Sequence, residues 1–93
     1  MVKINLKFGA DGGTARFATV LVSNAAQFSS HVFLKYKQKT VPVKNTPKSI
    51  MEIVDLDIRP FEDYQVIVDG PDEDHALFVY KLRLQEFQPD IQL

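Results

Sequence analysis

Cysteine is absent from this chain of 93 residues, which excludes disulfides, cysteine metal sites and a cysteine nucleophile. No apolar run approaches the roughly 20 residues that span a bilayer, and the alternating start MVKINLKF is unlike a signal peptide. There is also no excess of positive charge, because the formal net charge is −1, so no overall basic field would attract nucleic acid. We therefore expect one cytoplasmic domain without membrane insertion or direct nucleic-acid binding.

Hydrophobic periodicity predicts four strands and three helices in the order βαββαβα. The expected fold class is α+β, an open-faced β-sandwich in which three helices cover one face of a four-stranded antiparallel sheet. Residues 1–88 would form this domain and residues 89–93 a short tail. The predicted strands are Val2–Phe8, His31–Tyr36, Thr40–Val43 and Tyr64–Val68; the predicted helices run from Ala15 to Phe28, from Ile50 to Asp55, and from the acidic run Asp72–Asp74 to Pro89.

The first candidate site lies in the stretch Gly9–Ser23, where a loop rich in small residues precedes a helix. Thr14 is predicted to cap this helix through its hydroxyl, and Arg16 adds a permanent cation on the same turn. Free N–H groups and the helix dipole converge there, so the junction could bind an anion. The alternative is a loop, a capping residue and a solvated arginine.

Ser49 is the second candidate, because Glu52 follows it at capping-box spacing before an apolar run. The structural interpretation is a capping serine. The functional interpretation is a phosphorylation site, whose phosphate would serve as a handle for an arginine of a partner and leave the backbone unchanged.

Other chemistry is not supported by the sequence. His31 and His75 have no second ligand at metal spacing. The run Asp72–Asp74 is interpreted as compensation of a helix dipole, and no serine-nucleophile or phosphate-loop motif is recognisable. We therefore expect no metal, no cofactor and no enzymatic activity.

Two motifs resemble those of HPr, the histidine-containing phosphocarrier of the bacterial sugar phosphotransferase system. The family motif Gly–Leu/Ile–His–Ala–Arg–Pro–Ala stands here as GGTARFA, residues Gly12–Ala18. The family motif Lys–Ser–Ile–Met–Gly–Val–Met–Ser–Leu, which contains the regulatory serine, stands here as KSIMEIVDL, residues Lys48–Leu56. The resemblance runs from Val2 to about Phe87, and it implies the family's open-faced sandwich.

Departures from the family pattern change the function that the resemblance implies. The phosphoryl-carrying histidine falls on Thr14, whose phosphate would be an ester that transfers far less readily than a phosphoramidate. The family proline after the arginine is Phe17, which we expect on the partner-facing surface. In the second motif Glu52 and Asp55 replace a glycine and a serine, and an insertion precedes it at Lys44–Pro47.

Two functions stay open. The chain could be a regulatory protein, phosphorylated on Ser49 and bound by a partner in carbon catabolite control, like the family branch that lacks the histidine. It could instead be a constitutive interaction module that needs no phosphate. A carrier that uses His31 or His75 is disfavoured, because neither lies at the glycine-loop helix start.

The resemblance also implies the kind of partner and the residues that would bind it. Expected partners are a transcriptional regulator, an HPr-type kinase or another phosphotransferase component. The predicted partner-binding residues are Arg16, Phe17, Thr19, Ile50, Met51 and Val54.

Overall fold

The computed structural model describes residues 1–9 and 13–89 of the chain, so part of the glycine loop and most of the predicted tail lie outside the described residues. The order of elements confirms the predicted βαββαβα. The strands are β1 (Val2–Lys7), β2 (His31–Tyr36), β3 (Lys39–Val43) and β4 (Asp63–Asp69); the helices are α1 (Thr14–Ala25), α2 (Pro47–Asp55) and α3 (Glu73–Arg83), and a 3₁₀ turn at Leu84–Phe87 follows α3.

The four strands form one antiparallel sheet in the order β1-β4-β2-β3, as predicted. β3 lies at an edge, which accommodates Pro42 because a proline on an edge strand need not interrupt the hydrogen-bond ladder. The three helices cover one face. The opposite, open face carries the polar residues Lys3, Asn5, Lys35 and Gln65, and Gln65 pairs with both Asn5 and Lys35. This is the polar side of the apolar–polar alternation that the sequence predicts.

The core lies between the sheet and the helices, and one end of it is aromatic. The rings of Phe8, Phe17, Tyr64 and Phe87, which we call the aromatic cluster, meet edge to face with centroids 5.1–6.5 Å apart. Such geometry places the positive edge of one ring against the negative face of the next. The cluster joins the ends of β1 and β4 to the start of α1 and to the 3₁₀ turn.

Two predicted helix ends are wrong. α1 ends at Ala25 and not at Phe28, because the backbone N–H of Gln27 bonds Asn24 and that of Phe28 bonds Ala25 in turns. The last helix changes to a 3₁₀ turn at Leu84. Leu84 and Phe87 are both buried, and a 3₁₀ turn superposes residues three apart, so the tighter turn directs both side chains into the core.

Asp72 links the start of β2 to the start of α3, a role that the interpretation as dipole compensation missed. Its carboxylate accepts hydrogen bonds from the hydroxyl of Ser30 and from the backbone N–H groups of Ser29 and Ser30, both at 2.9 Å. Gly70 permits this close approach, because a Cβ there would lie 2.5–2.7 Å from Ser30 atoms and its φ is +156°.

We expect Asp72→Ala to lower the melting temperature at neutral pH. The Ser30 hydroxyl and the Ser29 backbone N–H hold the pKa of Asp72 below its ordinary value. The stabilisation is therefore present above the ordinary pKa and is lost as the pH falls through the lowered one. The difference in melting temperature between wild type and variant, followed by circular dichroism, should stay constant from about pH 7 to about pH 5 and shrink as the pH falls further toward about pH 2. Asp74→Ala, an exposed change in the first turn of α3, is the control, and a difference that does not vary with pH would contradict this role.

Two buried tyrosines should respond oppositely to loss of the hydroxyl. Tyr80 donates to the carbonyl of Leu21 at 2.8 Å and so connects α3 to α1. The hydroxyl of Tyr64 is buried and has no hydrogen-bond partner among the described residues. Tyr80→Phe should cost about 1 kcal/mol of unfolding free energy, a fall of about 4–8 °C in melting temperature, whereas Tyr64→Phe should be neutral or stabilising. Urea and thermal unfolding measure both variants. Equal losses of unfolding free energy in Tyr80→Phe and Tyr64→Phe would contradict the difference in hydrogen bonding between the two hydroxyls.

Candidate functional site

Thr14 and Arg16 lie in the first turn of α1, but Thr14 is not the cap. Gly13 occupies the N-cap position with extended dihedral angles, φ −74° and ψ 136°, and Thr14 is the first helical residue. The predicted hydroxyl cap is therefore wrong, because a capping side chain must sit on the residue before the helical dihedrals begin. Thr14 is half-exposed.

The side chain of Arg16 contacts the 3₁₀ turn, which sequence reasoning did not connect with this site. Its Nη2 lies 2.8 Å from Oε2 of Glu86, and its guanidinium carbon lies 6.0 Å from the ring centroid of Phe87. The ion pair is exposed, so it contributes at most about 1 kcal/mol. Arg16 can therefore exchange Glu86 for another anion at little cost.

Phe17 corrects the prediction of an apolar group on the partner-facing surface. Its side chain is 0% exposed, and its ring lies 5.1 Å from those of Phe8 and Tyr64. The reason is helical periodicity: Phe17 and Leu21 lie one turn apart on the inward stripe of α1. Phe17 supports the position of Arg16 from inside the domain and cannot contact a partner directly.

α2 begins earlier than the sequence predicts, and Ser49 is not its cap. Thr46 occupies the N-cap position, and its hydroxyl oxygen accepts a hydrogen bond from the backbone N–H of Ser49 at 3.2 Å. Pro47 fills the first helical position, where its fixed φ and missing N–H suit a helix start. The predicted capping box of Ser49 and Glu52 is therefore wrong, and the last residues of the Lys44–Pro47 insertion form the start of α2.

The hydroxyl of Ser49 is a buried link between α2 and the end of β3. The residue is 2% exposed, and its Oγ donates to the carbonyl of Pro42 at 3.0 Å and accepts from the backbone N–H of Lys44 at 3.0 Å. In this geometry a kinase cannot reach the oxygen. Its partners are backbone groups, so no sequence motif would have indicated them.

The remaining predicted contact residues are accessible. α1 packs against α2, and Thr19 on α1 and Met51 on α2 are exposed, Met51 at 61%. Ile50 and Val54 are half-buried and pack against the core. We use the name docking surface for the residues that are predicted to bind a partner and are not fully buried, namely Arg16, Thr19, Ile50, Met51 and Val54.

The two histidines are exposed. His31 begins β2, and His75 lies on α3 with its ring edge against Phe28 at 5.9 Å. Within residues 1–9 and 13–89, no group of three or more potential ligands is placed to hold a metal ion. None of the helices in the same ranges has the length and apolar character to cross a bilayer.

Known proteins match the chain over most of its length. The family model described as the PTS HPr component phosphorylation site matches residues 3–79. The histidine-containing phosphocarrier protein of a mycoplasma is 27% identical, with 91% of this chain and 93% of that one covered and a TM-score of 0.79. The phosphocarrier HPr of Bacillus anthracis is 26% identical over 90% and 96%, with a TM-score of 0.74. The catabolite repression protein Crh of Bacillus subtilis, an intertwined dimer with a swapped domain, is 28% identical over 99% and 95%, with a TM-score of 0.58.

Removal of the Ser49 hydroxyl should destabilise the fold. Ser49→Ala leaves a carbonyl and an N–H group without their partner, which should cost about 1–3 kcal/mol of unfolding free energy. Ser23→Ala is the matched control, because the Ser23 hydroxyl is exposed and bonds only two carbonyls of its own helix. Urea unfolding measures both, and equal stabilities of the two variants would show that the buried link contributes nothing.

Proposed function

Because this chain belongs to the HPr family of the bacterial sugar phosphotransferase system, we propose that it is a non-enzymatic protein-interaction module that needs no phosphorylation. It acts in the cytoplasm, binds protein partners through the docking surface, and carries no phosphoryl group between proteins. The loss of carrier activity is supported by Thr14, a half-exposed hydroxyl residue in the first turn of α1. A hydroxyl there would form a phosphate ester, which is a poor donor compared with a phosphorylated imidazole.

One contrast carries the proposal that docking is constitutive. On α2, Ser49 is buried with its hydroxyl engaged twice, whereas Met51, two residues later, is 61% exposed. An exposed thioether side chain beside half-buried Ile50 and Val54 provides adaptable apolar contact area without any modification. Arg16 supplies a cation on the adjacent helix, and its exposed ion pair with Glu86 is weak enough to be replaced by an anion of a partner.

A second candidate function is a switch through phosphorylation of Ser49. It is supported by the similarity to Crh, a protein of catabolite repression. The Ser49 hydroxyl is enclosed by the backbone of Pro42 and Lys44, which leaves no room for a phosphate. In this chain the modification therefore requires the first turn of α2 to separate from the end of β3. Glu52, three residues later, would add charge repulsion of roughly 1 kcal/mol, less in salt.

Binding measurements with the unmodified chain distinguish the two functions. The probes are the first enzyme of the phosphotransferase system and the HPr-binding transcriptional regulator, both taken from the organism that encodes this chain. We expect at least one of them to bind the unphosphorylated chain, and Met51→Asp to weaken that binding at least tenfold, because a charge replaces a central apolar contact. Phe78→Asp is the matched control, since Phe78 is comparably exposed on α3, outside the docking surface.

The same experiment shows what would change the proposal. If Met51→Asp and Phe78→Asp changed the partner affinity equally, the proposed docking surface would be wrong. Binding that appears only after an HPr-type kinase has labelled the wild type, and never with Ser49→Ala, would establish the switch instead. Acid-labile phosphate on the chain after incubation with the first enzyme and phosphoenolpyruvate would contradict the proposed loss of carrier activity.

A further inference from the structure

Phe61 is an exposed aromatic residue in a backbone conformation that bulky residues rarely adopt. It lies in the turn before β4 with φ +68°, and its side chain is 61% exposed. For a large side chain this left-handed conformation is strained, and glycine or asparagine would relieve the strain. The exposed ring gains little packing in exchange. Strained residues that persist in a fold are concentrated at functional sites.

The turn around Phe61 is fixed by hydrogen bonds. The N–H of Phe61 donates to the carbonyl of Phe8 at 2.6 Å, and the N–H of Phe8 donates to the carbonyl of Glu62 at 3.0 Å. Nζ of Lys7 donates to the carbonyl of Phe61 at 3.2 Å. The ring is therefore presented on a rigid backbone, which lowers the entropy lost when it binds.

A cationic depression adjoins this turn on the open face of the sheet. Lys7, Lys35 and Lys37 line it, together with the amides of Asn5 and Gln65 and one carboxylate, Asp63. Asp63 is paired with Lys7 at 3.0 Å. Glu62, beside the turn, accepts a hydrogen bond from the Tyr36 hydroxyl. Glu62 also lies 3.8 Å from Nζ of Lys37, so both carboxylates are paired with lysines. Within the described part of the chain Lys35 has no carboxylate partner, and three lysines against two carboxylates leave one positive charge in excess for a ligand.

Positive φ in this region is not limited to Phe61. The described part of the chain contains three non-glycine residues with positive φ, and Lys37, at +56°, is another of them. Lys37 lies in the two-residue turn between β2 and β3, where a positive φ is normal hairpin geometry. Its Nζ lies 3.8 Å from Oε2 of Glu62, the residue after Phe61, so the cation and the exposed ring share one corner of the sheet.

We propose that Phe61, Lys7, Lys35 and Lys37, the Phe61 corner, form a second protein-binding surface for an acidic segment that also contains apolar side chains. The lysines attract the carboxylates, and the ring of Phe61 covers an apolar side chain between them. The Phe61 corner lies at the open face of the sheet, whereas the docking surface lies on the helices. Both surfaces can therefore be occupied at once, and this inference does not depend on the proposed function.

An acidic protein segment suits the Phe61 corner better than a nucleic acid. Single-stranded nucleic acids are bound by several stacked aromatic residues along a continuous basic groove. This corner has one exposed ring, and its lysines are interrupted by the carboxylates of Glu62 and Asp63, so it offers no continuous basic groove to a phosphate backbone. Carboxylates of a peptide are discrete charges: one can bind Lys35, and another can bind Lys37 in exchange for its exposed contact with Glu62 at 3.8 Å.

The test uses a fluorescein-labelled peptide of twelve residues composed of glutamate and leucine, with a lysine and leucine peptide as the charge control. Fluorescence anisotropy should show binding of the acidic peptide only, and added salt should weaken it because exposed charges are screened. Phe61→Gly and Phe61→Asn should each weaken binding at least about fivefold. The same variants should leave the melting temperature unchanged or raise it by up to about 5 °C, because they relieve the strained φ.

Two control variants make the result specific. Phe78→Asn removes a comparably exposed ring on α3 and should leave peptide affinity within about twofold. Met51→Asp should also leave it unchanged, which separates failure here from failure of the docking surface. Lack of binding of the acidic peptide, an unchanged affinity of Phe61→Gly, or tighter binding of an oligothymidine than of the peptide would each overturn the proposal.

Discussion

Edge-to-face contact among four aromatic rings connects the elements that meet at the start of α1. Phe8 directly follows β1, Tyr64 begins the buried part of β4, Phe17 faces inward from α1, and Phe87 closes the 3₁₀ turn. Rings of this size bury large areas and accept only a few mutual orientations. The position of Arg16 therefore depends on residues about 70 positions away in the chain, and the proposed docking surface is only as well defined as the packing beneath it.

The sequence contained enough information for the fold because its strands alternate cleanly. In β2, Val32, Leu34 and Tyr36 are buried and Lys35 is exposed, which is the period of a half-buried strand. The positions of helix starts were harder to predict, because they depend on backbone dihedral angles. Both Thr14 and Ser49 carry side chains suited to capping, yet Gly13 and Thr46 have the extended conformation that a cap requires.

The candidate site was predicted less completely than the fold. Periodicity indicates that Phe17 lies on the inward stripe of α1, but comparison with a family proline at the same place suggested a surface position. The Ser49 hydroxyl bonds the backbone carbonyl of Pro42 and the backbone N–H of Lys44. The identities of the residues do not indicate such backbone partners. Phe61 was missed for a related reason: a turn with positive φ is recognised from glycine, and here the residue is aromatic.

The buried hydroxyl of Ser49 makes any chemistry on it subject to the dynamics of the fold. An enzyme that modifies this oxygen acts on the small population of molecules in which the first turn of α2 has separated from β3. Its apparent rate would contain the local opening equilibrium as a factor, as amide hydrogen exchange does. Anything that stabilises the closed arrangement, a partner bound to α2 included, would then slow the modification without touching the enzyme that performs it.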